Sequence, residues 1–348
     1  MRLGIAPANM LAVIAFTFGS LEQALASFGL CYALLAMRSA FTIFANMQLK
    51  TTYKQIVNTA KIASLNNNVN HCEIVLTATQ ENLSPAAGDK IKRLLLAIDI
   101  QNDFMEGIGS LPVPGSKGDV ERLTKWIYSN IDTLTQIVCS LDTHSNSQIF
   151  HPCWWMDNNC NNPEPYTIIT YNDLLTGMWT PVPEDKEPTY KLSSEYLKAL
   201  EEAGKKQLCI WPYHCLTGSY GAELEAEFAK MVRFHSSARK STPILLQKGK
   251  NRYSEMYGII KPEYNPDNYI NRDILDLIEQ YDEIYIAGEA ASHCVLESVS
   301  QIAEYFADRP EITDRITILK DCMSPIPGFE EATEEAFERL GIKSTTSS

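Results

Sequence analysis

From residue 93 onward, short apolar runs alternate with amphipathic stretches, and few folds accommodate that rhythm. The apolar runs fall at 94–100, 135–141, 207–211, 243–247, 283–287 and 315–319. Runs this short, with no polar alternation, read as strands covered on both faces. The stretches between them carry helical spacing near 119–131, 195–203, 222–233, 272–280, 292–307 and 330–340. In the fifth of these, Val295, Val299, Ile302 and Phe306 share one stripe, as core residues do. The pattern predicts an α/β fold: a doubly wound, mostly parallel sheet of about six strands with helices on both faces.

The alternation leaves the first quarter of the chain unexplained. Before Thr51 the only charges are Arg2, Glu22, Arg38 and Lys50, and apolar runs occupy 10–18 and 28–37. The first run precedes Ala24-Leu25-Ala26, a small-residue pattern like a secretory cleavage site. The second is shorter than the ~20 residues of a membrane span. A signal, an organelle presequence, an anchor and an upstream-start artefact all stay open for 1–50. Residues 51–90 read as a polar linker, and 91–345 as the main domain. An irregular insertion at 152–206, rich in Asn, Pro and Trp, reads as a lid, a pocket wall or plain decoration.

The formal net charge of −13 argues against a nucleic-acid partner and against a polybasic membrane role. The 9 cysteines are odd in number and scattered, with no Cys-x-x-Cys pair. That suggests neither a disulfide framework nor a zinc ribbon, and favours a reducing, cytoplasmic setting.

In open α/β sheets, ligands bind beyond the carboxyl ends of the strands. Asp99 interrupts the first apolar run, where a carboxylate is costly to bury without a partner. It reads as a loop cap or a general base. The second run ends in Asp142-Thr143-His144, with His151 nearby, and the third is followed by His214. One carboxylate and two imidazoles suit zinc or iron. Taken alone, His151 and His214 read as structural histidines, and Trp211 as a core residue. Lys248 ends the fourth run, and by itself reads as a solvated surface lysine. The fifth run leads through a glycine turn to a helix opening at Cys294, where the helix end would stabilise a thiolate. The competing reading is a packed apolar cysteine. Together these residues place a nucleophile, a base and a Lewis-acid site at one sheet edge.

As an ordered set, Asp99-Ile-Gln-Asn-Asp-Phe104, Asp142-Thr-His144, Trp211-Pro-Tyr-His214-Cys, Gln247-Lys248-Gly and Gly288-Glu-Ala-Ala-Ser-His-Cys294-Val resemble the isochorismatase-like cysteine hydrolases, nearest to the members that act on nicotinamide. The resemblance spans roughly residues 93–343. It implies Asp99, Lys248 and Cys294 as a catalytic triad, and Asp142, His144 and His214 as ligands of a divalent metal. Zinc is the expected metal, with iron or manganese as alternatives. It also implies a cis peptide at Glu289–Ala290, an oxyanion hole from the N–H groups of Ala290 and Cys294, and Phe104 and Trp211 flanking the substrate ring. The expected activity is hydrolysis of a small carboxamide through a thioester. Where many members carry a second metal-loop histidine, this chain has Gln148, with His151 close by; the fourth ligand stays open between them. The alternatives are a sibling hydrolase of another small amide or carbamoyl compound, and a catalytically silent or membrane-tethered binding protein. A homo-oligomer is also left open.

Overall fold

The computed structural model of the protein describes residues 49–65, 70–182 and 186–348. The apolar runs at 10–18 and 28–37, and the leader question with them, lie outside the described residues. Six strands build the central sheet: β1 (Arg93–Ile98), β2 (Gln136–Asp142), β3 (Ile244–Lys248), β4 (Glu283–Gly288), β5 (Ile316–Leu319) and β6 (Lys343–Thr345). They pair in the order β6-β5-β4-β1-β2-β3, all parallel. This is the expected doubly wound order. Its winding reverses between β1 and β4, which opens a crevice at their carboxyl ends.

The helices that matter for the site are α1 (Ser116–Ser129), α2 (Ala226–Arg239), α3 (Arg272–Glu279), α4 (Leu296–Tyr305) and α5 (Glu330–Leu340). On one sheet face Leu94, Leu96, Ile284 and Ile286 join the same core as Ile274 and Ile278 of α3 and Val299 and Ile302 of α4. The sequence stripe is therefore core, and each such aliphatic side chain contributes ~1.5–3 kcal/mol by burial. Tyr285 alternates to the opposite face, where its ring meets Trp126 of α1 at 4.8 Å.

The run at 207–211 does not join the sheet. Only Leu208–Cys209 is a strand, paired antiparallel with Ile168–Ile169 in a separate ribbon. Pro212 follows closely and has no N–H to extend a ladder. The sixth place is taken by β6, whose residues are all exposed. An edge strand that polar leaves no apolar trace in the sequence.

Residues 51–88 carry two short helices, Tyr53–Ile56 and His71–Thr79. Tyr53 Oη meets Thr124 Oγ1 of α1 at 2.9 Å, and Asn58 N–H donates to Glu227 of α2 at 2.7 Å. The insertion at 152–206 holds the helices Tyr171–Leu175 and Lys186–Glu202 and is anchored by Trp154 and Trp155, which are fully buried. At the other end of the chain, the backbone N–H and the hydroxyl of Ser347 both donate to the Asp321 carboxylate at 2.7 Å. No helix among the described residues is long and apolar enough to cross a membrane.

Candidate active site

Five strand exits and loops bring the charged residues together. The backbone turns off β1 at Asp99 with φ +46°, a left-handed conformation that aspartate tolerates better than most side chains. The Ser140 hydroxyl of β2 donates to Asp99 Oδ1 at 2.6 Å and accepts the Asp99 N–H at 3.0 Å. Sheet register sets Lys248 beside Asp142. The Lys248 ammonium lies 2.6 Å from Asp142 Oδ1, 2.9 Å from Asp99 Oδ2 and 3.6 Å from Cys294 Sγ. It also donates to the Met256 carbonyl at 3.1 Å. The lysine that reads as a surface residue in isolation is thus buried, because two buried carboxylates require a cation.

Beyond β4, Gly288 sits at φ +132°, and a Cβ there would stand 2.0 Å from the Ile98 carbonyl. Only glycine lets this turn seat against β1. The Glu289–Ala290 peptide is cis. Cys294 follows in a single π-helical turn, Ala291–Val295, that leads into α4. Such turns recur at functional sites.

The electrostatics differ from the helix-end thiolate expected from sequence. Burial drives the Cys294 thiol well above its ordinary range, and Asp99 and Asp142 add to this against Lys248. Burial also raises Asp99, opposed chiefly by Lys248. Lys248 stays charged: burial would lower it, but Asp142 and Asp99 hold it well above its ordinary value. The resting site therefore presents a thiol next to a carboxylate able to take its proton, rather than a preformed thiolate.

Asp142, His144 and His214 place their ligand atoms within 4.8 Å of one another. His144 Nδ1 pairs with the Gly249 carbonyl at 3.1 Å, and His214 Nδ1 with the Pro212 carbonyl at 2.8 Å. Each ring thereby keeps Nε2 for a ligand, the usual outer support of a metal-bound imidazole. His151 is held the same way by the Ser145 and Asn146 carbonyls, with its ring 5.9 Å from those of His144 and His214. Nε2 of His151 is buried with no hydrogen-bond partner, and Nε2 of His144 faces only Asp142 Oδ2 at 3.4 Å. Burial lowers His214 to about 3 and His151 to about 4, so both rings are in the neutral, metal-binding form. These donors fit a divalent metal. Gln148 is occupied elsewhere: its amide donates to the Gly249 and Asn251 carbonyls at 2.8 and 3.0 Å. A Cβ on Gly249 (φ +72°) would fall 2.6 Å from His144 Cε1, so glycine makes room for that ring.

Phe104, Trp211, Ala290 and Cys294 line one cavity with Asp142 and His214. The structure thus brings every sequence-derived site residue to one crevice. It adds Glu255, Tyr257 and His293 to the wall. Glu255 and Tyr257 lie outside any strand exit, so no periodicity marked them; His293 stands in the turn itself, next to Cys294. Burial raises Glu255 to about 7, opposed most by His144, and its Oε2 has no hydrogen-bond partner. A wider apolar mouth adjoins this cavity, and the insertion supplies Tyr166 and Ile168 to it.

No family model matches the sequence. The chain is similar to the nicotinamidase of Saccharomyces cerevisiae, 24% identical over 250 residues, which cover 71% of this chain and 95% of that protein. Among solved structures it is similar to the yeast nicotinamidase bound to the inhibitor nicotinaldehyde: TM-score 0.51, 21% identity, covering 73% of this chain and 99% of that one. A second structure of the yeast nicotinamidase gives TM-score 0.50 and 20% identity, covering 74% and 100%.

Proposed function

We propose that this chain, which belongs to the isochorismatase-like cysteine hydrolases and is a homologue of nicotinamidase, hydrolyses nicotinamide to nicotinate and ammonia. The observation that carries the reading is the Lys248 ammonium within 2.9 Å of Asp99 and 3.6 Å of Cys294 in a buried crevice. It joins base, cation and nucleophile.

In this mechanism Asp99 takes the Cys294 thiol proton. The sulfur attacks the amide carbonyl carbon, and the developing oxyanion faces the N–H groups of Ala290 and Cys294. A single such donor is worth ~2.7–4 kcal/mol of barrier in hydrolases of this type. Collapse breaks the carbon–nitrogen bond, and Asp99 returns its proton to the leaving ammonia. Water, deprotonated by Asp99, then cleaves the thioester and restores the thiol. Lys248 stays protonated and offsets the charge passing between Asp99 and sulfur. Phe104 and Trp211 hold the ring from opposite walls. Asp142, His144 and His214, with His151 beside them, would hold the metal. Zinc fits this nitrogen-rich donor set and would supply a Lewis-acidic contact to the ring nitrogen.

The test is ammonia release by zinc-loaded protein from nicotinamide and from a panel of small amides and carbamoyl compounds. Nicotinamide should give the highest kcat/KM. A better substrate elsewhere in the panel would favour the sibling-hydrolase reading, which Tyr166 and Ile168 at the mouth support. No turnover of any amide would sink both.

A further inference from the structure

Behind the nucleophile turn lies a second buried pair of acids that the mechanism above does not use. Glu289 immediately precedes Ala290 and is 0% exposed; Asp119, in the first turn of α1, is 1% exposed. The two carboxyls are within hydrogen-bonding reach of each other. Yet both Glu289 oxygens and Asp119 Oδ2 find no ordinary donor. Two carboxyls can bond only if one of them carries a proton, and two buried charges at this separation repel strongly.

The surroundings decide where the proton sits. Arg122 Nη2 donates to Asp119 Oδ1 at 2.6 Å, and the Ser324 hydroxyl is also within reach of Asp119. The positive end of α1 further favours charge on Asp119. The groups facing Glu289 are Asp119 and Arg122 from α1 and the Ser324 backbone N–H from the loop after β5, which is near the carboxyl without closing a well-formed bond; Arg122 and this N–H favour the charged form but are outweighed, and the buried Cys322 thiol lies beside Asp119 and Arg122. Burial, and then Asp119, raise Glu289 well above the carboxylate range.

Backbone bonds tie the turn to the loop after β5 and to β1, and the Arg122 side chain ties α1 to the same loop. Gly288 N–H donates to the Cys322 carbonyl at 3.1 Å, Glu289 N–H to Ile98 at 2.9 Å, and Ala291 N–H to Ser324 at 2.8 Å. Arg122 Nε donates to the Asp321 carbonyl.

We propose that Glu289 is a positioning residue. Held as a neutral acid, it donates to the Asp119 carboxylate and pins the turn carrying Ala290 and Cys294 to the start of α1. Removing the proton would set two anions side by side beneath that turn. Removing the side chain would leave Asp119 Oδ2 unpaired in the interior. Glutamine would keep a permanent donor of the same length. The catalytic consequence rests on the oxyanion-hole reading above; the protonation of the pair does not.

The test compares wild type, E289Q and E289A. Infrared difference spectra at pH 7 should show a protonated-carboxyl stretch in wild type that E289Q lacks. E289A should lose about tenfold or more in kcat with KM little changed, and E289Q should restore kcat to within about twofold of wild type. Wild-type kcat should fall on the alkaline side through an ionisation missing from E289Q. Absence of the infrared band, an E289A enzyme as fast as wild type, or the same alkaline limb in E289Q would each overturn the proposal. If E289A does not fold, the band and the E289Q pH profile decide it. If no amide is turned over, the function reading fails. The band still tests the pair, and the rate at which iodoacetamide alkylates Cys294, followed by peptide mass spectrometry, tests the turn: unchanged in E289Q and altered in E289A, or else the proposal falls.

Discussion

Two pairs of buried carboxyls flank the nucleophile turn, and they are neutralised differently. Asp99 and Asp142 share the Lys248 ammonium, which touches both and is buried with them. Glu289 and Asp119 have only Arg122, whose side chain is 44% exposed and which reaches Asp119 at one oxygen. In the first pair burial pushes both carboxyls up and the enclosed Lys248 opposes it at each, leaving Asp99 raised and Asp142 low; in our proposal the second pair keeps a proton instead. In that reading a side chain that exchanges protons is placed against a fixed cation, and one that holds the turn still is placed where ionisation is suppressed.

Five substitutions press on that comparison. The largest effect is on activity. Cys294→Ala should lower kcat about 10⁴-fold or more while leaving both acid pairs and the melting temperature near wild type. Activity surviving in a clean preparation would mean that the lysine-bridged pair is not catalytic. Next, Lys248→Met strands two buried carboxylates and should cost ~3–5 kcal/mol by urea unfolding, with loss of turnover. E289Q should cost far less, and equal losses would erase the distinction between the two pairs.

His235 of α2 checks the protonation logic in the opposite sense. Its Nε2–H donates to the Leu134 carbonyl at 2.8 Å, and burial lowers its pKa to about 4 from 6.5. A depressed folded value contributes stability in full above pH 6.5 and loses it as pH falls toward 4. The raised value of Glu289 does the reverse, losing stability as pH rises. Thermal melts should therefore show H235Q without up to ~3 kcal/mol of acid-side loss, and E289Q without the alkaline-side loss. The smallest effect is expected at Gly249. G249A forces a Cβ against His144 at positive φ and should cost ~1–3 kcal/mol, with reduced zinc content by elemental analysis. Full zinc occupancy in G249A would weaken the assignment of His144 as a ligand.

The sequence was most readable where apolar runs stop. Asp99, Asp142, His144, Lys248 and Cys294 all stand at or after strand ends, so polar residues breaking off apolar runs mark them together. Lys248 became meaningful only beside the other exits, since nothing local to Gln247-Lys248-Gly249 shows that a carboxylate waits on β2. Glu255 and Tyr257 could not be read, because loop residues reach the cavity by tertiary packing alone; His293 was in view beside Cys294, but nothing local gave it a place in the wall. The edge strand β6 was invisible for the opposite reason: exposed on every residue, it carries no apolar pattern. Glu289 looks in the sequence like any polar residue in a turn, and only its burial opposite Asp119 makes it unusual.

The bonds from Ser347 to Asp321 tie Ser347 to the loop behind the proposed nucleophile turn. Asp321 lies in the same loop that accepts Arg122 and, through Cys322 and Ser324, both edges of the nucleophile turn. A few polar residues around Ser347 thus lean on the far side of the proposed oxyanion site. Changing them would disturb the back wall of that site.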